Sequence, residues 1–399
     1  MDVVLQIQAF NAGREAERLS IKYQRMHGNP FAFLRGTSHL FYERLSAAKL
    51  FKASPPVWIC GDLHLENFGS YKGNNRLAYF DLNDFDEAAL APASWELVRF
   101  LTSLLVGAES LSISPTEART LCSVFLDDYA SSLALGKAFW IESETAQGVI
   151  RELLEGLRDR QRIKFIAAHT VMKGKSRVLK LDGKKALAVS DAQRVAVTGF
   201  MARFAKTQSQ PEFFKVIDVA RRIAGTGSLG VKRYTILVNG KGAPGGHYLL
   251  DLKESLASSV APHFAALQPK WQSQARRIVE VQRRLQAVSL ALLQPVRFEG
   301  NAYVLRELQP TEDRITLDGT PRTMSELKGV VGAMGQMVAW AQLRSAGREG
   351  SAIADDLIEF GLRKKWKEKL LVAAQACAVQ VRKDSATFDK AYERGAFDA

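Results

Sequence analysis

An aspartate, a histidine and an asparagine lie at short fixed offsets in one segment of the chain, CGDLHLENFG (residues 60–69). About one β-hairpin's length later, the segment YFDLNDFDEA (residues 79–88) carries a cluster of acidic residues. Carboxylate and amide oxygens are ligands that magnesium takes when it bridges the phosphates of a nucleotide. The two segments together therefore predict a phosphoryl-transfer site.

The polar residues of these segments have distinct candidate roles. Asp62 is the candidate base, which would accept or orient the proton of an acceptor hydroxyl. Asn67 would bind magnesium through its amide oxygen and needs an acid beside it, for which Asp81 and Asp84 are the candidates and Asp86 is a third. An acidic surface turn is the alternative for these aspartates, but an unpaired cluster after an apolar strand would be costly.

Two further side chains of this region are expected to support the site. His64 is predicted to brace the loop through hydrogen bonds rather than to take part in the chemistry. Arg35, in the aromatic run FAFLRGT (residues 31–37), could hold a phosphate or pair with an acid of the site. The pairing is the favoured interpretation.

A glycine motif, GTGSLG (residues 225–230), has the spacing GxGxxG. Dinucleotide-binding folds require a strand before these glycines and a helix that begins on them. Here the motif is followed by an alternating β-branched run (residues 231–238) and then by HYLLDLKES (residues 247–255), both typical of strands. The order predicts a glycine-rich β-hairpin over phosphates, and a glycine-rich turn without a ligand is the alternative. The predicted phosphate-binding residues are Gly225, Gly227, Ser228 and Gly230.

Lys253 lies at the end of the second of these strand patterns and is a candidate to contact the phosphates. Such a lysine needs an acidic partner, and Glu280 is the only carboxylate between Ser255 and Phe298. A Lys253–Glu280 ion pair is therefore predicted. The alternative for Glu280 is ordinary pairing with the arginines of its own helical segment, QARRIVEVQRRLQAV.

Periodicity and breaker residues predict the elements that position these side chains. Helices are expected at about 4–26 and 38–51, followed by the short strand VWIC (residues 57–60). A hairpin with its turn at 72–75 separates the two acidic segments. Residues 298–310 are predicted to form two strands and a hinge-like exit.

The segments GDLHLEN, DFDEA and WELVRFL resemble the small-molecule kinase branch of the protein-kinase-like superfamily, which includes aminoglycoside and choline phosphotransferases. The pattern of that branch is HGDxxxxN, then a metal-binding aspartate, then an Asp-Leu pair. In this chain Cys60 replaces the first histidine, and Glu96 replaces the aspartate of the pair. Counting forward from Asn67 favours Asp81 as the metal ligand, whereas counting back from Glu96 favours Asp84, so both stay candidates.

Six segments in the same order also resemble the bacterial family known as domain of unknown function 2252; they are FAFLRGT, CGDLHLENFG, FDLNDFDEA, VARRIAGTGSLGVKRYTILV, YLLDLKES and YVLRELQP. This resemblance covers most of the chain. It implies a kinase-like fold, while the family name leaves the substrate and the activity open.

The order of the motifs differs from that of ordinary kinases, in which the glycine loop, the lysine and the acidic helix precede the catalytic loop. A circular permutation would explain the difference, because a two-lobed fold keeps its site whatever the order of its parts. The expected fold class is α+β, a circularly permuted two-lobed kinase-like fold with a helical insertion. The expected segments are 1–130 (C-lobe-like, catalytic), 131–213 (helical and basic insertion), 214–310 (N-lobe-like, nucleotide-binding) and 311–399 (helices that complete the C-lobe).

Composition narrows the class of protein. The 399 residues are 47% hydrophobic and 24% charged, as in soluble globular proteins, and neither a signal peptide nor an 18-residue apolar run is visible, so a cytoplasmic location is expected. The three cysteines are far apart, which argues against disulfides and a zinc site. The net charge of +13 favours anionic partners. Residues 158–185 carry ten lysines and arginines against two aspartates but few aromatics, so a solvated basic face and an anion-recruiting role are both open.

These observations lead to one main hypothesis and two alternatives. The main hypothesis is ATP- and magnesium-dependent phosphoryl transfer to an acceptor that the sequence does not identify, with a small molecule suggested by the resemblance. The first alternative is adenylyl transfer by the same site. The second is an inactive kinase-like or binding module that uses its basic insertion to engage nucleic acid or an acidic partner, and retention of Asp62, Asn67, Lys253 and the aspartates argues against it.

Overall fold

A computed structural model describes residues 2–47, 54–158, 160–174, 176–242, 245–308, 322–363 and 365–398, which form a mixed α+β fold. The helices are α1 (Val3–Asn11), α2 (Ala16–Met26), α3 (Pro30–Gly36), α4 (Ser38–Ala47), α5 (Ala93–Gly107), α6 (Pro115–Leu135), α7 (Gly148–Arg158), α8 (Arg162–His169), α9 (Asp191–Ala205), α10 (Gln274–Leu285), α11 (Met324–Arg344), α12 (Ala354–Leu362) and α13 (Trp366–Glu393). The strands are β1 (Pro56–Ile59), β2 (Phe68–Lys72), β3 (Ala78–Leu82), β4 (Ala89–Pro92), β5 (Ile141–Glu142), β6 (Thr170–Lys173), β7 (Ser176–Leu179), β8 (Ala186–Leu187), β9 (Val216–Arg222), β10 (Arg233–Val238), β11 (Tyr248–Glu254), β12 (Gln294–Phe298) and β13 (Asn301–Glu307).

The largest sheet has six antiparallel strands in the order β12-β13-β11-β10-β9-β8. Along β11, Leu250 and Leu252 belong to a buried apolar cluster that includes Phe200 and Phe204 of α9. Because successive side chains of a strand point to opposite faces, Lys253 lies on the other face. There it is level with Arg233 of β10 and Val304 of β13. Helix α9 thus packs on one face of the sheet, and Lys253 lies on the other face.

Two smaller sheets hold the acidic segments. β2 and β3 form the predicted hairpin, with Phe68 opposite Leu82. β1 pairs with β4, which places Ile59 opposite Ala89. Residues 60–67 therefore connect β1 to the hairpin, and residues 83–88 connect the hairpin back to β4. Because β1 pairs with β4 and β2 pairs with β3, both connections lie at the same end of the two sheets.

A helical core supports these strands. The rings of Phe100 on α5 and Phe125 on α6 stack with their centroids 4.0 Å apart. The largest buried cluster extends from Val3 to Phe397 and draws residues from all four segments expected from the sequence. Within the described part of the chain, none of the helices combines the length and the apolarity needed to cross a membrane.

Several predicted boundaries differ from the observed ones. The expected helix at 4–26 is divided into α1 and α2, because Gly13 adopts φ +77° between them. The helix expected at 38–51 is observed as α4, and residues 48–53 lie outside the described residues. The hinge-like exit expected at 309–310 also lies outside them.

The basic segment at 158–185 includes α8 and the hairpin of β6 and β7. Ile166 and Leu179 from this segment pack against Leu237 and Leu249 of the large sheet. Part of the segment is therefore packed on the sheet through apolar side chains, while Met172 and Leu181 are largely exposed. The solvated helical face and loop, one of the two open interpretations, is thus observed as a partly packed helix with a hairpin, and the anion-recruiting role stays a prediction.

Candidate active site

A buried glutamate, Glu96, fixes the connection that follows β1. The backbone N–H groups of Cys60 and Gly61 donate to Oε1 of Glu96 on α5, at 2.7 and 3.4 Å. Gly61 has φ +89°, and a Cβ atom there would overlap the carbonyl oxygen of Glu87. Burial raises the pKa of Glu96, and the N–H donors oppose this effect. The residue that replaces the expected aspartate thus fixes the start of the loop.

Asp62 is fixed by one arginine. Nε and Nη2 of Arg99 donate to Oδ1 of Asp62 at 3.1 and 2.6 Å, and Nη2 also donates to the carbonyl oxygen of Leu34 at 2.7 Å. The Arg99 side chain is fully buried, whereas that of Asp62 is 21% exposed. Burial raises the pKa of Asp62, and the guanidinium of Arg99 opposes it. This arrangement holds one carboxylate oxygen and makes Asp62 more basic than an ordinary aspartate.

Asn67 connects the two acidic segments. Its Oδ1 accepts from the backbone N–H of Asp84 at 2.7 Å, and its Nδ2 donates to the carbonyl oxygens of Asp62 at 3.0 Å and Asp84 at 3.3 Å. Oδ1 also accepts from the backbone N–H of Asn83 at 3.3 Å, so a metal at this oxygen would have to replace the longer of two hydrogen bonds. His64 also braces the loop as expected, because its Nδ1 accepts from the backbone N–H of Glu66 at 3.1 Å.

The two aspartates left open by the sequence point to different places. Asp81 is 3% exposed, and its Oδ2 accepts from Arg344 of α11 at 3.1 Å and from the backbone N–H of Ala287 at 3.3 Å. Burial raises the pKa of Asp81, and Arg344 opposes it. Asp84 instead lines a cleft together with Asp62 and Asn67. The structure therefore brings Asp84, and not Asp81, to the loop.

The glycine motif joins β9 to β10, in the strand–glycines–strand order that the sequence predicted. Gly225, Gly227 and Ser228 line the same cleft. Gly230 is not part of the lining. It has φ +87°, and a Cβ atom at this position would lie 2.8 Å from Cβ of Arg14. Gly230 therefore allows close packing of the loop rather than contact with the cleft.

Lys253 reaches the cleft, but its partner differs from the predicted one. Its Nζ pairs with Oδ2 of Asp86 and donates to Oγ of Ser228 at 2.8 Å. Glu280 pairs with Arg276 at 3.2 Å and Arg283 at 3.5 Å on its own helix. The expected Lys253–Glu280 pair is thus replaced by a Lys253–Asp86 pair.

The phase of α10 explains this difference. Ile278 and Gln282 line a small crevice with Lys253. Glu280 is two residues from each of them, which is roughly 200° around an α-helix. Arg277, also on α10, donates to the carbonyl oxygens of Ala88 at 2.5 Å and Asp86 at 2.8 Å. The helix therefore supports the acidic segment through an arginine instead of offering its carboxylate to the lysine.

The cleft has a volume of about 250 Å³. The predicted site residues that line it come from three distant parts of the chain; they are Asp62, Asn67, Asp84, Gly225, Gly227, Ser228 and Lys253. A larger and mostly apolar cavity of about 1050 Å³ lies beside α3, α4 and α13, and its lining contains none of the predicted site residues. The smaller cleft is therefore the candidate active site, because acids, a lysine and the glycine motif line it together.

Oxygen donors of the cleft suit a hard cation. Asn67 supplies an amide oxygen, and Asp84 and Asp86 supply carboxylates, which are the donor types that magnesium prefers. No cluster of three or more His, Cys, Asp or Glu in the described ranges is arranged to hold a metal by itself. A metal at this cleft would therefore need the amide and the phosphates of a ligand as well.

Basic residues of α2 and of the turn before it form contacts that the sequence motifs did not indicate. Donors at 14, 18, 22 and 25 reach carbonyl oxygens of residues 222–229: Arg14 to Gly227 at 2.9 Å, Arg18 to Arg222 at 3.0 Å, Lys22 to Gly227 at 3.4 Å and Arg25 to Gly225 at 3.0 Å. Residues 18, 22 and 25 have the spacing of one face of α2, which could have indicated a shared partner, whereas Arg14 lies in the turn before α2. We call these four residues the N-terminal clamp.

A second network missed by the sequence lies two residues before Lys253 on β11. Asp251 is 1% exposed and pairs with Arg233 at 2.5 Å, Arg306 at 3.3 Å and Arg222 at 3.5 Å. The arginines hold the pKa of Asp251 well below its usual range, although burial acts in the opposite direction. This network connects four strands of the large sheet, β9, β10, β11 and β13, beside Lys253.

Comparison with known proteins gives a family and no activity. A family described as "Uncharacterized protein conserved in bacteria (DUF2252)" matches residues 14–391. The search of curated proteins and the search of solved structures found no match.

Proposed function

This chain belongs to the bacterial DUF2252 family, and we propose that it is an ATP- and magnesium-dependent phosphotransferase with a circularly permuted, two-lobed kinase-like fold. One observation carries the proposal. The loop at 60–67, the acidic segment at 83–88, the glycine motif and Lys253 are far apart in sequence, yet they line one cleft. Structural ion pairs alone would not require a glycine-rich loop over such a cluster.

The phosphates of ATP would lie under the glycine motif, against Gly225, Gly227 and Ser228. Lys253 would donate to them in exchange for its contacts with Asp86 and Ser228. Magnesium would be held by Asn67 and Asp84, with Asp86 nearby, and it would neutralise charge on the phosphates. Exchange of Lys253 from the carboxylate to a phosphate keeps the ammonium paired with an anion in both states.

Asp62 would act on the acceptor. The acceptor oxygen forms a bond to the γ-phosphorus while its proton passes to Asp62, and the bond between that phosphorus and the bridging oxygen of ADP breaks. Arg99 holds Oδ1 of Asp62, which fixes the orientation of the carboxylate. Catalysis in this scheme consists of positioning and charge neutralisation, so it needs few reactive groups.

The test combines binding with turnover. Thermal shift with ATP, with and without magnesium, is measured for the wild type, Asp62→Asn and Lys253→Met, and Glu280→Gln is the matched control because Glu280 pairs only with its own helix among the described contacts. We expect magnesium-dependent ATP binding by the wild type, binding without turnover by Asp62→Asn and weakened binding by Lys253→Met. Transfer of label from γ-labelled but not α-labelled ATP distinguishes phosphoryl from adenylyl transfer. Absence of ATP binding by the wild type would refute the proposal.

A further inference from the structure

Two cations line the cleft without a role in the proposed transfer. Arg14 precedes α2 and Arg35 lies on α3. Arg14 donates to Gly227, and Arg35 pairs with Glu66, which agrees with the acid pairing favoured from the sequence. The Nε atoms of both arginines are buried and have no hydrogen-bond partner among the described residues. Each guanidinium therefore retains donors that the protein does not use.

Arg35 lies on the side of Asp62, and Arg14 contacts the glycine motif. Arg35 follows Leu34, whose carbonyl oxygen accepts from the same Arg99 that holds Asp62. The backbone oxygen of Arg35 lies 3.0 Å from the position that a Cβ atom on Gly227 would take, so α3 meets the tip of the glycine motif. Lys253, in contrast, lies beside Asp86 and Ser228. The cleft thus has Lys253 beside Asp86 and Ser228, Arg35 on the side of the candidate base, and Arg14 bonded to the tip of the glycine motif that α3 meets.

Other charged groups lie around these two arginines, and burial lowers the pKa of one of them, Lys22, well below its usual range. Lys22 is fully buried behind the cleft, where its Nζ donates to Asn11 at 2.9 Å. Glu66 compensates Arg35, while the carboxylate of Glu87 accepts from the backbone N–H and hydroxyl of Ser259 at 2.5 and 2.9 Å. Glu87 and Asp86 lie near Arg14, but their hydrogen bonds go to Ser259 and Lys253, so the Arg14 guanidinium has no paired carboxylate among the described contacts.

We infer that the acceptor is a small alcohol that already carries an anionic group, a carboxylate or a phosphate, which binds Arg14 and Arg35 while the hydroxyl meets Asp62. This inference rests on the proposed phosphotransferase function. Guanidinium groups bind carboxylates and phosphates through paired N–H donors, which fixes the orientation of a ligand as well as its charge. A cationic acceptor such as choline is disfavoured here because it would meet two arginines.

The first experiment measures anion binding without nucleotide. Calorimetry compares glycerol, glycerate, glycerol 3-phosphate and choline, so that the carboxylate and phosphate sources are separate arms. We expect binding of at least one anionic compound and none of glycerol or choline. Arg14→Gln and Arg35→Gln should weaken that binding about tenfold or more. Arg25→Gln is the control, because Arg25 also donates to the glycine motif but does not line the cleft, and its effect should stay within about threefold.

The second experiment measures turnover with the same compounds. Arg35→Lys, which keeps the charge and loses the paired donors, is added in case Arg35→Gln folds poorly, and circular dichroism verifies the fold of each variant. The inference predicts a higher KM for the anionic acceptor and a nearly unchanged KM for ATP. An increase confined to the KM for ATP, or turnover of only neutral or cationic acceptors, would overturn it while leaving the phosphotransferase proposal intact. Arginine-dependent anion binding without any ATP binding would support the anion site and refute the proposed function.

Discussion

Substitution of Asp81 and of Asp84 by asparagine should separate a structural aspartate from a functional one. Asp81 is buried against Arg344, which also donates to the carbonyl oxygens of Leu285 at 2.6 Å and Phe139 at 2.7 Å. Loss of one partner of a buried ion pair costs about 3–5 kcal/mol. Arg344 keeps its carbonyl partners and asparagine keeps an acceptor, so we expect about 2 kcal/mol for Asp81→Asn. For a chain of 399 residues that corresponds to a decrease in Tm of roughly 2–3 °C.

Asp84→Asn should have the opposite profile. Asp84 lines the cleft, and its negative charge contributes to the raised pKa of Asp62, so its removal relieves a like-charge interaction. We expect a change in unfolding free energy below about 1 kcal/mol and a decrease in kcat of about a hundredfold or more. The assay is thermal unfolding followed by circular dichroism, together with release of ADP from magnesium-ATP. The assignment would be refuted if Asp84→Asn lost much of its stability and kept normal activity. It would also be refuted if Asp81→Asn kept full stability and lost its activity.

Three further predictions follow from the contacts of the cleft and the sheet. Asp86→Asn should weaken ATP-dependent activity more than Glu280→Gln, because Lys253 pairs with Asp86. The turnover of Glu280→Gln should stay within about twofold of that of the wild type. Equal losses in steady-state assays would contradict this prediction. The acid limb of the pH profile of kcat/KM should have an apparent pKa above 3.8, because burial raises the pKa of Asp62 and the deprotonated form is the base. Arg35→Gln should move this limb to still higher pH, because the positive charge of Arg35 lowers the pKa of Asp62. Asp251→Ala should lower the free energy of unfolding by about 3–5 kcal/mol in urea titrations, because three arginines lose their shared partner, and a near-neutral result would refute the network.

Local signals were sufficient for several parts of the fold. The hairpin of β2 and β3 could be predicted because alternation and a turn rich in glycine and asparagine are properties of adjacent residues. The same holds for the strands around the glycine motif, where β-branched alternation after Gly230 excluded a helix. These patterns carry their information within about ten residues, so no distant contact was needed.

The choice between Asp81 and Asp84 could not be made from spacing. Asp81 is turned towards Arg344, which is 263 residues later in the chain. Motif counting places a residue along the chain, but the face of the strand on which it lies depends on register and on the partner that packs there. The sequence contained both aspartates and no indication of the arginine that withdraws one of them from the cleft.

Glu280 illustrates a second limit. It was the only acid available between two strands, but its rotation about α10 is fixed by packing of Ile278 and Arg277 against the acidic segment. A carboxylate can therefore lie on the expected helix and still face away from its expected partner, here Lys253. The N-terminal clamp illustrates the reverse case, since its helical spacing was visible and its partner, the glycine motif, was about 200 residues away.

Magnesium-dependent binding of ATP, measured by calorimetry for the wild type, Lys253→Met, Asp84→Asn and the double variant, tests the central claim most directly. If the glycine-loop sheet and the acidic segment form one nucleotide site, ATP binds the wild type with a requirement for magnesium. Each single substitution then weakens binding, and the double variant loses less than the sum of the two single losses because both residues act on the same phosphates. Strictly additive losses, or no magnesium-dependent binding by the wild type, would contradict the account.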